Sequence, residues 1–380
     1  MSNKKWVSIY GNAPSFSEMH VAEYAKDITL RYMITPSIGG ERLRLHFHNL
    51  LGQDDVKLAK VSVSLADKGS QSKPGTSVPV LFTHQRAVSI QRGTSVCSDE
   101  IPLPFQSGEL LFVSVYLADY TDMTCGVLTS GPLTKNFCAK GDFCDDAVFP
   151  ADLTIGCPET FFLYQIDVLA DEGAHAIVAF GDSITAQSWP EWLTLRLIND
   201  GHKHTSVVRR GIGGSRILRE YKCLQTRHYG QSGISRFERD IDVPGADSVI
   251  VLHGVNDIIH PDGINPFRPM SHLPTAEDMI AGFRTYIDIA HRHGQKIYLA
   301  TILPFEGWRT YNAERNAIRI KVNEWIRQCG KADGVIDFDA AVRDPKNPTS
   351  LLGEFASGDH LHPSIAGAKK LAATVPEGIL

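Results

Sequence analysis

Residues 178–187 read VAFGDSITAQ: an apolar run that stops at Gly181, Asp182 and Ser183. With Ile177 in front, the run has the unbroken character of a strand buried on both faces. Glycine relaxes the backbone, and Asp and Ser cap helix starts, so the stretch predicts a strand turning into a helix. The carboxyl end of a parallel strand is where α/β folds place their chemistry. That makes Ser183 a candidate nucleophile and the stretch the key to the second half of the chain.

Downstream, strand and helix patterns alternate. The helical WPEWLTLRLIND is followed by the strand TSVVRRGI, then the strand SVIVLHGVND and the amphipathic AEDMIAGFRTYIDIAHRHG. KIYLATILP, ERNAIRIKVNEWIRQC, GVIDFD and SIAGAKKLAATV continue the alternation to the end. Such an order predicts a parallel sheet covered on both faces, a three-layer α/β/α domain over residues 169–380. Upstream the grammar differs. ITLRYMIT, RLRLHFHNL, VKLAKVSVSLA, SVPVLFT, RAVSIQ, LLFVSVYLA and TFFLYQIDVLA are short apolar or alternating runs separated by Gly-, Ser- and Pro-containing turns. Without helices between them they predict an antiparallel, jelly-roll-like β-sandwich over residues 1–168. In RLRLHFHNL, Leu43, Leu45 and Phe47 would share one face, and Arg44, His46 and His48 the other.

The chain has 380 residues, a net charge of −5 and 43% hydrophobic residues, which suits two domains with separate cores. The mildly acidic balance argues against a nucleic-acid partner. No apolar window reaches the roughly 20 residues of a membrane span, so no membrane partner is expected. The start, MSNKKWVSIYGNAP, lacks the apolar core of a secretory signal, which predicts a cytoplasmic protein. The seven cysteines form no Cys-x-x-Cys pair, so neither a zinc ribbon nor a disulfide framework is indicated.

Four stations in the second half each lie past a strand or before a helix: Ser183, the Gly213-Gly214-Ser215 turn, Asn256-Asp257, and Asp359 with His362. Together they are the parts of an acyl-transfer site. A serine hydroxyl needs a base to take its proton, an imidazole serves near neutral pH, and a carboxylate fixes the tautomer of that imidazole. The tetrahedral oxyanion needs donors already in place. Here His362 would be the base and Asp359 its orienter; the amides of Ser183 and Gly214 and the side chain of Asn256 would be the donors. Asp182, His253 and Trp189 are candidate substrate contacts, with helix capping or core packing as the plainer role of each. His46-x-His48, His202-x-His204 and His291-x-His293 lack companions at ligand spacing and predict solvated histidines rather than a metal site. Arg209, Arg210, Arg216 and Arg219 read as scattered surface charge, with a grip on an anionic substrate as the alternative.

The blocks GDSIT, GIGGS, GVND and DHLHP, in this order, resemble the SGNH hydrolases, also called the GDSL lipase/esterase family. RIKVNEWIR and DGVIDFDAAVRDP resemble a bacterial branch that carries an N-terminal β-sandwich, and SIGGERLRLHFHNLLG resembles its early strands. The resemblance implies a flavodoxin-like catalytic domain, Ser183 as nucleophile, Gly214 and Asn256 as oxyanion residues, and Asp359 and His362 as acid and base. It implies no metal or organic cofactor. The expected activity is hydrolysis of short-chain esters of small soluble molecules, acetylated sugars first. The other readings are an acyltransferase using the same site and a carbohydrate-binding protein with a vestigial hydrolase domain. The chain departs from that branch in one respect: only TAQS separates Ile184 from Trp189-Pro190, where related sequences have a longer loop.

Overall fold

The computed structural model describes residues 4–18, 24–150, 155–156, 159–221 and 223–380. Cys157 lies outside them. Two compact units emerge, residues 1–176 with 197–208, and residues 177–196 with 209–380.

The two largest antiparallel sheets of the first unit suit a β-sandwich. One pairs Lys4–Gly11, Leu163–Asp171, Leu43–His48 and Ser95–Cys97 in that order. The other runs Ile155–Gly156, Asn136–Lys140, Ile28–Ile34, Leu111–Leu117, Lys60–Leu65 and Val78–Pro79. Leu43, Leu45 and Phe47 are fully buried, as their alternation predicts. Lys4–Gly11 and Asn136–Lys140 escape the sequence reading because polar residues interrupt their apolar pattern. The run TFFLYQIDVLA is broken at Phe162, which takes a left-handed φ of 64° between two strands.

The second half is built on β1 (His175–Gly181), β2 (Thr205–Gly211), β3 (Ala246–Leu252), β4 (Lys296–Ala300) and β5 (Gly334–Ile336). They form one parallel sheet in the order β2-β1-β3-β4-β5. The order reverses beside β1, so the end of β1 opens into the crevice where open α/β sheets bind ligands. The helices that concern the site are α1 (Ser183–Ala186), α2 (Trp189–Asp200), α3 (Gly233–Ile241), α4 (Val255–Ile259), α5 (Ala276–Arg292), α6 (Ala313–Arg327), α7 (Phe338–Val342) and α8 (Ile365–Thr374). Right-handed crossovers put α2 on one face of the sheet and α3, α5 and α6 on the other. Phe237 of α3 stacks on Tyr286 of α5 at 4.4 Å, and α5 packs on α6. On the opposite face Trp189 of α2 meets Phe338 of α7 at 5.6 Å, and α7 packs on α8.

Helix α3 has no counterpart in the sequence reading, and the cause is local. Its inward face carries Arg236 and Asp240, a fully buried i,i+4 ion pair at 2.6 Å, so the apolar periodicity is broken where the helix is most buried. Arg236 also donates to the carbonyls of Gly181 at 2.7 Å and Arg210 at 3.0 Å, and lies 4.1 Å from the ring of Phe180. A buried guanidinium thereby ties the end of β1 to β2. The other arginines read as surface charge are mostly interior too: Arg209 pairs with Glu191 at 3.1 Å, Arg210 donates to the Asp240 carbonyl at 3.1 Å, and Arg216 lies 4.1 Å from the ring of Tyr221. Only Arg219 of the four is exposed. Among the described residues no helix is long and apolar enough to cross a membrane.

Candidate active site

Strand β1 ends at Gly181, where a side chain would stand 2.1 Å from the Leu252 carbonyl oxygen and 2.5 Å from Thr185 Oγ1. Only glycine lets β1 and β3 close together there. Asp182 caps α1, accepting the Ile184 amide at 3.1 Å. Ser183 is then the first residue of α1, whose amide the helix itself leaves unused. Its Oγ–H donates to His362 Nε2 at 2.8 Å, and His362 Nδ1–H donates to Asp359 Oδ2 at 2.6 Å. Serine, imidazole and carboxylate stand in one hydrogen-bonded line.

The acid is fixed by its own loop. Asp359 Oδ1 accepts from Ser357 Oγ at 2.5 Å and from the amides of Leu361 and His362, both at 2.9 Å. Burial pushes its carboxyl up, but the bonds from His362, Ser357 and these amides outweigh that and hold it well below the usual carboxylate range. Ser357 is a supporting residue the sequence reading missed. Its place two residues before an acid is the pattern of a local side-chain bond.

Gly214 follows β2 with a φ of 73°, a left-handed conformation that favours glycine. The segment after it is held from several directions. Asn256 Nδ2 donates to the Ser215 carbonyl at 3.0 Å, and His253 Nε2–H donates to the same oxygen at 3.1 Å. Asp257 accepts the amides of Ile217 at 2.7 Å and Leu218 at 3.1 Å. From α3, the Gly233 amide donates to the Arg216 carbonyl at 2.7 Å. The block after β3 therefore fastens the Gly214 loop through Asn256, His253 and Asp257.

Asp182, His253 and Trp189, candidate substrate contacts by sequence, each have about 1% of their surface exposed. Their interior roles account for them. Burial, opposed by the Ile184 amide and reinforced by the charge of Asp257, pushes Asp182 up to about 7. Burial pushes Asp257 up to about 6. Burial and the charge of Arg236 bring His253 down to about 3, so its imidazole is neutral; Nδ1 accepts from the Tyr286 hydroxyl at 3.0 Å. The Trp189 indole N–H donates to Thr185 Oγ1 at 3.3 Å.

Three histidines of the His-x-His pairs have carboxylate partners that the spacing did not reveal, while His204, His291 and His293 are exposed as expected. His46 meets Asp167 at 2.7 Å, His291 meets Asp333 at 2.8 Å and His293 meets Glu238 at 3.1 Å. Among the described residues no group of three His, Cys, Asp or Glu is placed to hold a metal ion.

A family model described as GDSL-like lipase/acylhydrolase matches residues 179–370. Among solved structures, a catalytic mutant of an acetylxylan esterase from Geobacillus stearothermophilus is 20% identical, with a TM-score of 0.41, over 53% of this chain and 93% of that one. A lipase/acylhydrolase from Enterococcus faecalis is 23% identical, with a TM-score of 0.38, over 53% of this chain and 93% of that one. A GDSL-like lipase from Bacteroides thetaiotaomicron is 17% identical, with a TM-score of 0.39, over 54% and 87%. No curated protein matches the chain.

Proposed function

The chain belongs to the GDSL-like lipase/acylhydrolase family, and from that premise we propose that it is a serine esterase acting on short-chain esters through Ser183, His362 and Asp359. The observation that carries this reading is the unbroken line from Ser183 Oγ through His362 to Asp359, at 2.8 and 2.6 Å. Ser183 Oγ attacks the ester carbonyl carbon while its proton passes to His362 Nε2. The imidazolium is steadied by Asp359, which the bonds around it keep ionised. The oxyanion is received by the amides of Ser183 and Gly214 and by Asn256. The Asn256 amide has two N–H groups, so the one spent on the Ser215 carbonyl leaves a second for this purpose. Collapse expels the alcohol, protonated by His362. Water, deprotonated by the same imidazole, then cleaves the acyl-enzyme to release the carboxylic acid and free Ser183.

The surroundings favour a polar alcohol part. Ser183 and His362 are half-buried and Asp359 is exposed, so the leaving-group side opens to water. There His360 lies against Gly307, next to the half-buried Trp308, whose ring the Arg309 guanidinium overlies at 5.1 Å. An aromatic face beside hydrogen-bonding groups suits a sugar, and acetylated sugars are the substrate class we assign. The test is hydrolysis of p-nitrophenyl acetate, butyrate and octanoate by the wild type and Ser183→Ala, with acetate release from peracetylated xylose alongside. Turnover by the wild type and a loss of about a thousandfold or more in the variant is the expected result. Equal turnover by both proteins overturns the assignment of Ser183.

A further inference from the structure

Resting on that esterase reading, we propose that Tyr229 is the wall of the acyl side of the cleft and restricts the acid part of the ester to a few carbons. Three observations place it there. First, the Tyr229 ring lies directly on the α-carbon of Gly214: a methyl at that carbon would stand 2.1 to 2.6 Å from three atoms of the ring. Second, the ring is held in place. Tyr221 meets it at 5.2 Å, His228 at 4.3 Å and His260 at 5.2 Å, and Tyr221 and His260 are bonded to each other at 2.7 Å. Third, Tyr229 as a residue remains partly exposed.

The chemistry decides which part of the ester it meets. The leaving alcohol oxygen must be protonated by His362, so the alcohol lies on the His362 side of the reacting carbon. His362 comes from the loop before α8, and α8 sits with α2: Arg196 of α2 donates to the carbonyls of Ala372 at 3.2 Å and Val375 at 2.7 Å. The Gly214 loop is held from the other helical layer. The amides of Gly233 and Ile234 in α3 donate to the carbonyls of Arg216 at 2.7 Å and Ile217 at 3.1 Å, and Gly282 of α5 packs on Ile217. The His362 loop and the Gly214 loop that carries the Tyr229 ring are therefore held from opposite helical layers. With the alcohol committed to the histidine, the acyl substituent points toward the tyrosine.

The experiment measures kcat/KM for p-nitrophenyl acetate, butyrate and hexanoate with the wild type, Tyr229→Ala, Tyr229→Leu and Tyr229→Phe. A second series of acetates varies the alcohol from p-nitrophenol to 1-naphthol. Removing the ring is expected to raise the hexanoate-to-acetate ratio about tenfold or more, the scale on which single methylenes are discriminated in a pocket. Tyr229→Phe is expected to hold the wild-type acyl ratio, and the alcohol ratio should stay put in all variants. Because these are ratios, a variant that is merely less well folded lowers both members and leaves them unmoved; Tyr229→Leu supplies the comparison if Tyr229→Ala does not fold. An unchanged acyl ratio in an active ring-deleted variant overturns the wall, as does a shift confined to the alcohol series. Absence of turnover by the wild type on every ester overturns the esterase reading, and the assignment of Tyr229 falls with it.

Discussion

A single carboxylate illustrates how residue chemistry is set by position in this protein. Asp359 is exposed yet strongly acidic, because four donors converge on it. Asp182 is buried with one capping bond and is pushed the other way, to about 7. Histidine shows the same division. Burial and the charge of Arg236 drive His253 down, whereas His46, which burial alone would lower, is carried up to about 9 by its bond to buried Asp167. Arg44 donates to the same carboxylate at 2.7 Å, so Asp167 stays ionised as the partner of both. The folded value of His46 lies above its ordinary 6.5, so its contribution to stability is complete below pH 6.5 and is lost as pH rises through about 9. The difference amounts to roughly 3 kcal/mol at full effect. Thermal melts between pH 6 and 9.5 should show this decline in the wild type, and His46→Gln should remove it; parallel curves for the two proteins would refute the assignment.

Elements meet at the site through close backbone approaches rather than through large side chains. The ends of β1 and β3 touch at Gly181 because no Cβ intervenes, and Gly211 at the end of β2 likewise leaves room for the backbone of Thr185 and Ala186. In Gly181→Ala the methyl would meet a backbone oxygen at 2.1 Å, and backbone cannot swing aside as a side chain can. Such overpacking costs about 2 kcal/mol or more. Urea unfolding of this variant should show that loss, together with a fall in kcat, since the same turn carries Ser183; wild-type stability would mean that the strands separate without cost. Helix α3 was hidden in the sequence for a related reason. Its inward positions are polar, and Arg236 finds its acceptors in β1 and β2, segments far away along the chain.

At the scale of the whole molecule the chain returns to its first unit after entering the second. Residues 197–208 belong with 1–176, where Ser206 Oγ donates to the Ser8 carbonyl at 2.6 Å and Ser37 Oγ donates to the Thr205 carbonyl at 2.8 Å. A cut at the boundary suggested by the change of sequence grammar leaves that segment without these partners. The fragment 169–380 is therefore expected to melt at least about 5 °C below the full chain and to lose the proposed esterase activity. Circular dichroism melts of the two proteins decide this: a fragment that melts with the full chain and keeps its turnover would make the second half self-sufficient.

The sequence by itself determined the class of each half, the order of the five strands along the second, and the candidates Ser183, His362 and Asp359 that the fold joins by hydrogen bonds. Periodicity and turn residues are local properties, and a parallel α/β sheet delivers the ends of its strands to one edge whatever the details of packing. Tertiary structure decided the rest. Trp189, His253 and Asp182 went to the interior, where their polar atoms meet Thr185, Ser215 with Tyr286, and Ile184. Arg236 became a buried brace, and Tyr229 came to rest on Gly214. Whether a polar side chain is buried depends on which distant groups satisfy its hydrogen bonds, and those groups are chosen by the folded packing of segments that the local pattern leaves unpaired.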